Sequence, residues 1–245
     1  CEVPAGTAEQ EVMEGKESWN PVDLPHDWLI EQENNLYESS DGWYVRSLHI
    51  DNAQDGKCRL LRFDGVYMDC DVLVNGQIMC THRYGYTAFD VDMTPALQSG
   101  DNEILVHVRF CSPCSRWYSG AGIYRDVTYM ELPACHIVPD GIYVHTAPCD
   151  DSWVVQVEVE TSGDHPALPI FHRLFDQEGN CAAQGSDSLH IAKPRLWSGK
   201  HPYLYTLETQ LGSHIVRQKI GLRPCRFDPD NGLFVNGEHV KLHGV

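Results

Sequence analysis

Three groups of residues in this 245-residue chain carry chemistry by type and spacing. The first is Arg116-Trp117-Tyr118, running into Gly120-Ala121-Gly122 and ending at Arg125. Glycine permits close backbone approach, so the stretch reads as a shaped loop presenting aromatic faces beside the planar, five-donor fork of an arginine. Such a loop suits a saccharide: rings cover the apolar C–H faces of a pyranose, and a guanidinium donates to its hydroxyls in fixed geometry. The second group is His26-Asp27, an acid–base pair by type. Adjacent residues of an extended segment point to opposite faces, however, so the two do not readily serve one substrate. Leu24-Pro25-His26-Asp27-Trp28 reads instead as a packed corner. The third is the CxxC of Cys111-Ser112-Pro113-Cys114. With no second CxxC and no HxxxH nearby, it reads as two loop thiols rather than a metal or redox centre.

Carboxylates are plentiful but not grouped. Asp64, Asp69, Asp71, Asp90 and Asp92 fall on alternating strand positions or in turns and read as solvated faces or turn caps. No DxDxDG calcium loop is present. Arg125 reads as an ion-pair partner of the acidic surface.

The elements that must position these residues are strands. From Val66 to Val74 the apolar residues Val66, Met68, Cys70, Val72 and Val74 alternate with Tyr67, Asp69 and Asp71, as in a half-buried strand. Asn75-Gly76 follows as a hairpin turn, and Ile78 and Cys80 resume the alternation on the return. Ile104, Val106, Val108 and Phe110 repeat it. A second series lies past Pro133: Ile142/Val144, Trp153 to Val159, Ile170 to Phe175, Tyr203 to Leu211 and Ile215 to Ile220. No helical stripe lasts three turns; Thr94 to Gln98 has room for a single turn. Many short strands separated by Gly and Pro predict an all-β chain of antiparallel sandwiches. Leu132-Pro133-Ala134 marks the expected boundary, giving a jelly-roll-sized sandwich over 1–132, an immunoglobulin-like one over 133–223 and a different tail over 224–245.

Lys plus Arg is 18 against 35 Asp plus Glu, a net charge of −17. This argues against nucleic acid or a polybasic membrane contact, and no window approaches the ~18 apolar residues of a membrane span. With 42% hydrophobic residues the chain is not a disordered one. Ten cysteines without modular spacing read as free thiols of a reducing compartment; Cys58, Cys70, Cys80 and Cys181 suit small buried hydrophobes. The start at Cys1, without Met or a signal pattern, and a final apolar run at Val240–Val245 suggest a piece of a longer protein.

Several motifs then fall in one order. Trp19-x-x-Val22-x-Leu24-Pro25-His26-Asp27-Trp28, Gly42-Trp43-Tyr44-x-Arg46, Phe63-Asp64-Gly65-Val66, Val72-x-Val74-Asn75-Gly76 and Gly100-Asp101-Asn102-x-Ile104 are followed by Ser115-Arg116-Trp117-Tyr118-Ser119-Gly120-Ala121-Gly122-Ile123-Tyr124-Arg125-Asp126-Val127. Leu196-Trp197-Ser198, Pro202-Tyr203-Leu204-Tyr205, Gly221-x-Arg223 and Asn236-Gly237-x-x-Val240-x-Leu242-x-Gly244-Val245 continue the series. Together they resemble the N-terminal portion of family 2 glycoside hydrolases, the β-galactosidase, β-glucuronidase and β-mannosidase group.

The resemblance implies a jelly-roll sugar-binding-like domain (1–132), an immunoglobulin-like domain (133–223), and a linker with the first strand of a catalytic (β/α)₈ barrel (224–245). It implies a retaining exo-β-glycosidase, β-galactosidase-like, as the parent protein. Retention needs two carboxylates about 5 Å apart; in the family these are glutamates on the barrel, downstream of Val245, so no catalytic residue is expected in this chain. The loop start reaches the barrel in the family, which makes Arg116 and Trp117 the candidate substrate contacts. Several members carry a carboxylate where this chain has Arg116. No cofactor and no metal are implied. The expected partners are a carbohydrate substrate and the missing barrel, with a homo-oligomer allowed, in the cytoplasm. The alternatives are a stand-alone carbohydrate-binding or adhesion module and a disulfide-linked extracellular receptor fragment.

Overall fold

The computed structural model describes residues 2–4, 12, 19–30, 38–114, 120–163 and 168–244. The chain forms two compact units, Cys1–Leu132 and Pro133–Val245, and is all-β.

In the first unit the described strands are β1 (Glu2–Pro4), β2 (Ser40–Ile50), β3 (Cys58–Phe63), β4 (Asp69–Val74), β5 (Gln77–Arg83), β6 (Phe89–Asp92), β7 (Gly100–Phe110) and β8 (Val127–Leu132). They make a five-stranded sheet ordered β1-β2-β7-β4-β5 and a three-stranded sheet ordered β6-β3-β8, with the described strands paired antiparallel. The alternation read from the sequence does the packing. Cys70, Val72, Val74, Val106 and Val108 of the larger sheet meet Leu61, Phe63 and Val91 of the smaller one in a single core. Each such side chain contributes roughly 1.5–3 kcal/mol by leaving water.

Asn75-Gly76 closes the β4–β5 hairpin with φ of 51° and 78°, as the turn chemistry requires. The same turn is tied across the sheet. Asn75 Nδ2 donates to the Oδ1 of Asn102, a residue 1% exposed whose own Nδ2 donates to the carbonyls of Gln98 and Gly100. The Gly100-Asp101-Asn102 motif is therefore an internal clamp.

Two details depart from the pattern. Tyr67 does not share the solvent face with Asp69 and Asp71: it precedes β4, is 3% exposed, and its ring packs among Tyr86, Phe110 and Tyr124. On the return strand a bulge pairs Val72 with Cys80 but Leu73 with Ile78. The extra residue, Met79, packs on the core beside Cys80, while Ile78 turns out to 60% exposure. The expected helical turn is a 3₁₀ turn over Thr94–Ala96, begun by the Asp92 carboxylate accepting from the Thr94 amide.

In the second unit β9 (His136–Cys149), β10 (Ser152–Ser162), β11 (Ile170–Phe175), β12 (Cys181–Gly185), β13 (Ser188–Ala192), β14 (Tyr205–Leu211) and β15 (His214–Ile220) form an immunoglobulin-like sandwich. Its sheets are β13-β10-β9 and β12-β11-β14-β15. Val155, Leu189 and Ile191 of one sheet pack against Leu174, Leu207 and Ile220 of the other. Strands β12 and β13 are five residues each; β12 (Cys-Ala-Ala-Gln-Gly) has no apolar alternation, and β13 has a single apolar pair, Leu189 and Ile191, too short a signal to stand out in the sequence. Cys181 lies at the start of β12 and is exposed, not a buried hydrophobe; its strand is at the sheet edge.

The tail carries more structure than a linker. β16 (Cys225–Asp228), β17 (Gly232–Val235) and β18 (Glu238–Val240) form a three-stranded meander, turned at Asn236-Gly237 with φ of 53° and 79°. Asn236 anchors it to the sandwich by donating Nδ2 to the Trp197 carbonyl at 2.9 Å. Residues 241–244 have no regular structure.

Candidate functional site

Arg116 and Trp117, with Ser115, Tyr118 and Ser119, lie outside the described residues. What the structure gives is the frame from which that segment springs. On its N-terminal side, the chain leaves β7 and the Ser112 amide donates to Ser39 Oγ at 3.0 Å. The Tyr67 hydroxyl then donates to Cys114 Sγ at 3.4 Å.

On the C-terminal side the Gly120–Ile123 stretch is buried and held by several strands and loops at once. Tyr67 and Gly122 exchange both backbone hydrogen bonds, at 2.9 and 3.0 Å. The His26 amide donates to the Ile123 carbonyl at 2.8 Å and the Trp28 amide to that of Ala121 at 3.1 Å. Gly122 has φ of +133°, and a Cβ there would lie 2.5 Å from the His26 carbonyl oxygen. Only glycine fits such an approach. Past it, Tyr124 donates its hydroxyl to the Gly85 carbonyl at 2.8 Å.

Arg125 departs from the ion-pair expectation. Its guanidinium stands 5.0 Å over the Tyr124 ring and donates to the backbone carbonyls of Asp64 and Tyr86 at 3.3 and 3.4 Å. A long side chain with several donors reaches the backbone of two separate segments at once, which the charge count could not show.

The corner at 24–28 is structural, and its two polar side chains serve different partners. His26 Nδ1 lies 2.8 Å from the Tyr44 hydroxyl. Asp27 Oδ1 accepts from the amides of Leu29, Ile30 and, across 94 residues of sequence, Ala121. Trp28 donates its indole N–H to Ser40 Oγ at 3.0 Å. Its ring lies so close to Gly42 that a Cβ there would be 2.3 Å away. A groove of about 1270 Å³ opens beside the corner, with Trp19, Asp23, His26, Tyr44 and Arg46 among its walls.

The electrostatics fix protonation states more than they offer acid–base chemistry. Burial, reinforced by the Cys114 thiol and Tyr86, pushes the Tyr67 phenol far above its ordinary value, so it stays protonated and able to donate. Among the acids read as solvated, Asp71 is ion-paired with Arg109 and accepts from Thr81 at 2.6 Å. Partial burial pushes its carboxyl up, but these two hydrogen bonds outweigh burial and hold it below the usual range. Asp64 and Asp90 flank Arg62 at 3.4 and 3.6 Å. Asp71 and Asp90 thus pair across strands, Asp64 pairs with Arg62 of the strand it follows, and Asp92 caps the Thr94 turn.

Sequence reasoning missed one polar cluster on the larger sheet. Asp41 of β2, 3% exposed, lies 2.9 Å from His107 Nε2 of β7. The Trp43 ring stacks on that imidazole at 3.9 Å and 4°. Arg109 Nη1 lies 3.3 Å from His107 Nδ1, so Nδ1 is assigned as acceptor and Nε2–H as donor to Asp41. These residues are adjacent only through the β2–β7 register, which no local spacing reveals. Among the described residues no group of three or more His, Cys, Asp and Glu is placed to hold a metal ion.

The family model described as glycosyl hydrolases family 2, sugar binding domain, matches residues 22–133, and that described as glycosyl hydrolases family 2 matches residues 136–223. The chain is 31% identical over 254 residues to a putative β-glucuronidase of Formosa agariphila, covering 93% of this chain and 25% of the relative. It is 33% identical over 267 residues to a β-galactosidase of Bacteroides ovatus, covering 93% and 31%. A solved structure of a glycosyl hydrolase family 2 member from Bacteroides cellulosilyticus superposes with a TM-score of 0.81 at 30% identity, over 92% of this chain and 35% of that one. The chain thus spans about a quarter to a third of the length of the curated relatives.

Proposed function

Because the chain belongs to family 2 of the glycosyl hydrolases, we propose that it serves a retaining exo-β-glycosidase of the β-galactosidase type as that enzyme's non-catalytic, two-sandwich portion. The observation that supports this best is the order and extent of the two matches, 22–133 and 136–223, which together take in both sandwiches. Relatives named β-galactosidase and β-glucuronidase align over 93% of the chain yet extend well beyond it. In this reading the acid/base and nucleophile carboxylates that retention requires lie on a barrel outside the chain. In the same reading Arg116 and Trp117, in the segment that precedes the Gly120–Ile123 frame, are the substrate contacts. The guanidinium then donates to ring hydroxyls and the indole covers a C–H face, which selects the sugar without taking part in bond cleavage. Cytoplasmic location belongs to the same reading and rests on ten cysteines without disulfide-type spacing.

The test is to assay the complete gene product on aryl β-galactosides and β-glucuronides and follow the product anomer by NMR. Release of the β-anomer from a β-galactoside is the expected result. Inversion, or no turnover of either substrate, would overturn it. Titrating thiols of the 245-residue chain under denaturation checks the compartment: close to ten supports the cytoplasm, close to none supports secretion.

A further inference from the structure

The outward face of the sheet β12-β11-β14-β15 does not resemble the rest of this acidic chain. Strand register sets Arg173 opposite Glu208, and Glu208 opposite Arg217. All three point away from the core, because their neighbours Leu174, Leu207 and Thr209 are fully buried on the other face. Arg173 Nη2 lies 2.8 Å from Glu208 Oε1, and Arg217 Nη2 lies 2.6 Å from Oε2. The carboxylate is 4% exposed although it faces outward, since the two guanidinium groups cover it. Lys219, in the adjacent row, donates to Thr206 Oγ1 at 2.7 Å. Three cations against one carboxylate leave the face positive, on a chain whose net charge is −17. On the other side of the arginine row, Phe171 is 38% exposed.

We propose that this face binds an anionic saccharide chain, one bearing carboxylate or sulfate groups. The arginines are pre-organised: Glu208 holds both forks in place, so little side-chain entropy is lost on binding, and each guanidinium keeps N–H donors that Glu208 does not use. Arg173 and Arg217 rise from the strands on either side of β14, and their guanidinium groups converge on opposite oxygens of the Glu208 carboxylate, so they present their remaining donors as one compact cationic site for an anionic group of the ligand, with Lys219 in the adjacent row for a second. Phe171 supplies an apolar surface of the kind that covers a sugar ring. An acidic polypeptide would use the cations but has no need of the ring. The overall acidity of the chain weakens long-range attraction, which confines the interaction to contact range and makes it salt-sensitive.

Affinity electrophoresis of the 245-residue chain in gels containing polygalacturonate, dextran sulfate, neutral dextran or poly-L-glutamate tests this. The chain is expected to be retarded by polygalacturonate or dextran sulfate and not by dextran, and the stronger of the two identifies carboxylate or sulfate as the preferred anion. Arg217→Gln with Lys219→Gln should weaken that binding at least fivefold. Phe171→Ala, at a partly exposed site, should weaken it several-fold with an unchanged circular dichroism spectrum. Absence of retardation by both anionic polysaccharides, equal retardation by poly-L-glutamate, or indifference to either variant would overturn the proposal. No glycoside is hydrolysed in this assay, so its outcome is independent of the glycosidase reading.

Discussion

Gly122 and Tyr67 are joined by a reciprocal pair of backbone hydrogen bonds, Tyr67 N–H to Gly122 O at 2.9 Å and Gly122 N–H to Tyr67 O at 3.0 Å. This isolated bridge fastens the end of the Arg116–Trp117 segment to the start of β4. Gly122→Ala should therefore damage the frame. A Cβ would meet the His26 carbonyl at 2.5 Å and the Tyr44 hydroxyl at 2.6 Å, at a φ that L-residues rarely adopt. Strain and overpacking together should cost about 2–4 kcal/mol. Urea unfolding of the variant checks this; an unchanged midpoint would show that the loop yields without cost.

Asp27 should act as a staple rather than an acid. Its Oδ1 takes three backbone amides, one of them that of the fully buried Ala121. Asp27→Ala strands that donor and should lose about 1–3 kcal/mol, whereas Asp27→Asn keeps an acceptor oxygen and should lose less. Equal losses in the two variants would mean that charge, not hydrogen bonding, carries the effect.

Acid should weaken the second unit before it titrates the carboxylates. Burial holds the His172 imidazole below its ordinary value, and burial with His136 nearby does the same for His214. Geometry agrees for His214, whose Nδ1 accepts from the Ile137 amide at 3.0 Å and so must be unprotonated. Both pKa values are lower folded than unfolded, so the unfolded chain binds more protons below about pH 6.5. Their contribution is full above that pH and is lost as pH falls through the lowered native values. His49 has the opposite sign: the Asp101 hydrogen bond raises its pKa, so its contribution is present at low pH and fades as pH rises. The comparison is therefore made by difference. Stability of His214→Gln should depend less on pH between 7.5 and 5 than that of the wild type, measured by urea unfolding at each pH.

Arg116→Ala in the complete enzyme should lower glycoside turnover while leaving the melting temperature nearly unchanged, since the residue is read as a substrate contact. Unfolding would place Arg116 in a structural network instead; unchanged kinetics would leave sugar selection to the barrel. The isolated 245-residue chain should show no measurable hydrolysis of aryl β-glycosides in the same assay. Any sugar affinity it retains through Arg116 and Trp117 should be millimolar or poorer, about −4 kcal/mol.

The sequence by itself determined what depends on neighbours along the chain. Alternation of Cys70, Val72 and Val74 sets which face of β4 is buried, and Asn75-Gly76 supplies the positive φ that a tight hairpin demands. The family follows from motifs that are likewise contiguous. Tertiary structure alone decided what depends on register between distant strands. It turned Tyr67 inward, sent Ile78 outward through the bulge at Met79, and gave Arg125 to two carbonyls instead of a carboxylate. It also brought Asp41 to His107 and set Glu208 between Arg173 and Arg217. The physical reason is that a period of two assigns each side chain a face, whereas its partner on that face is chosen by which strand lies alongside and at what offset. That choice is made by the whole sheet when it closes over its core.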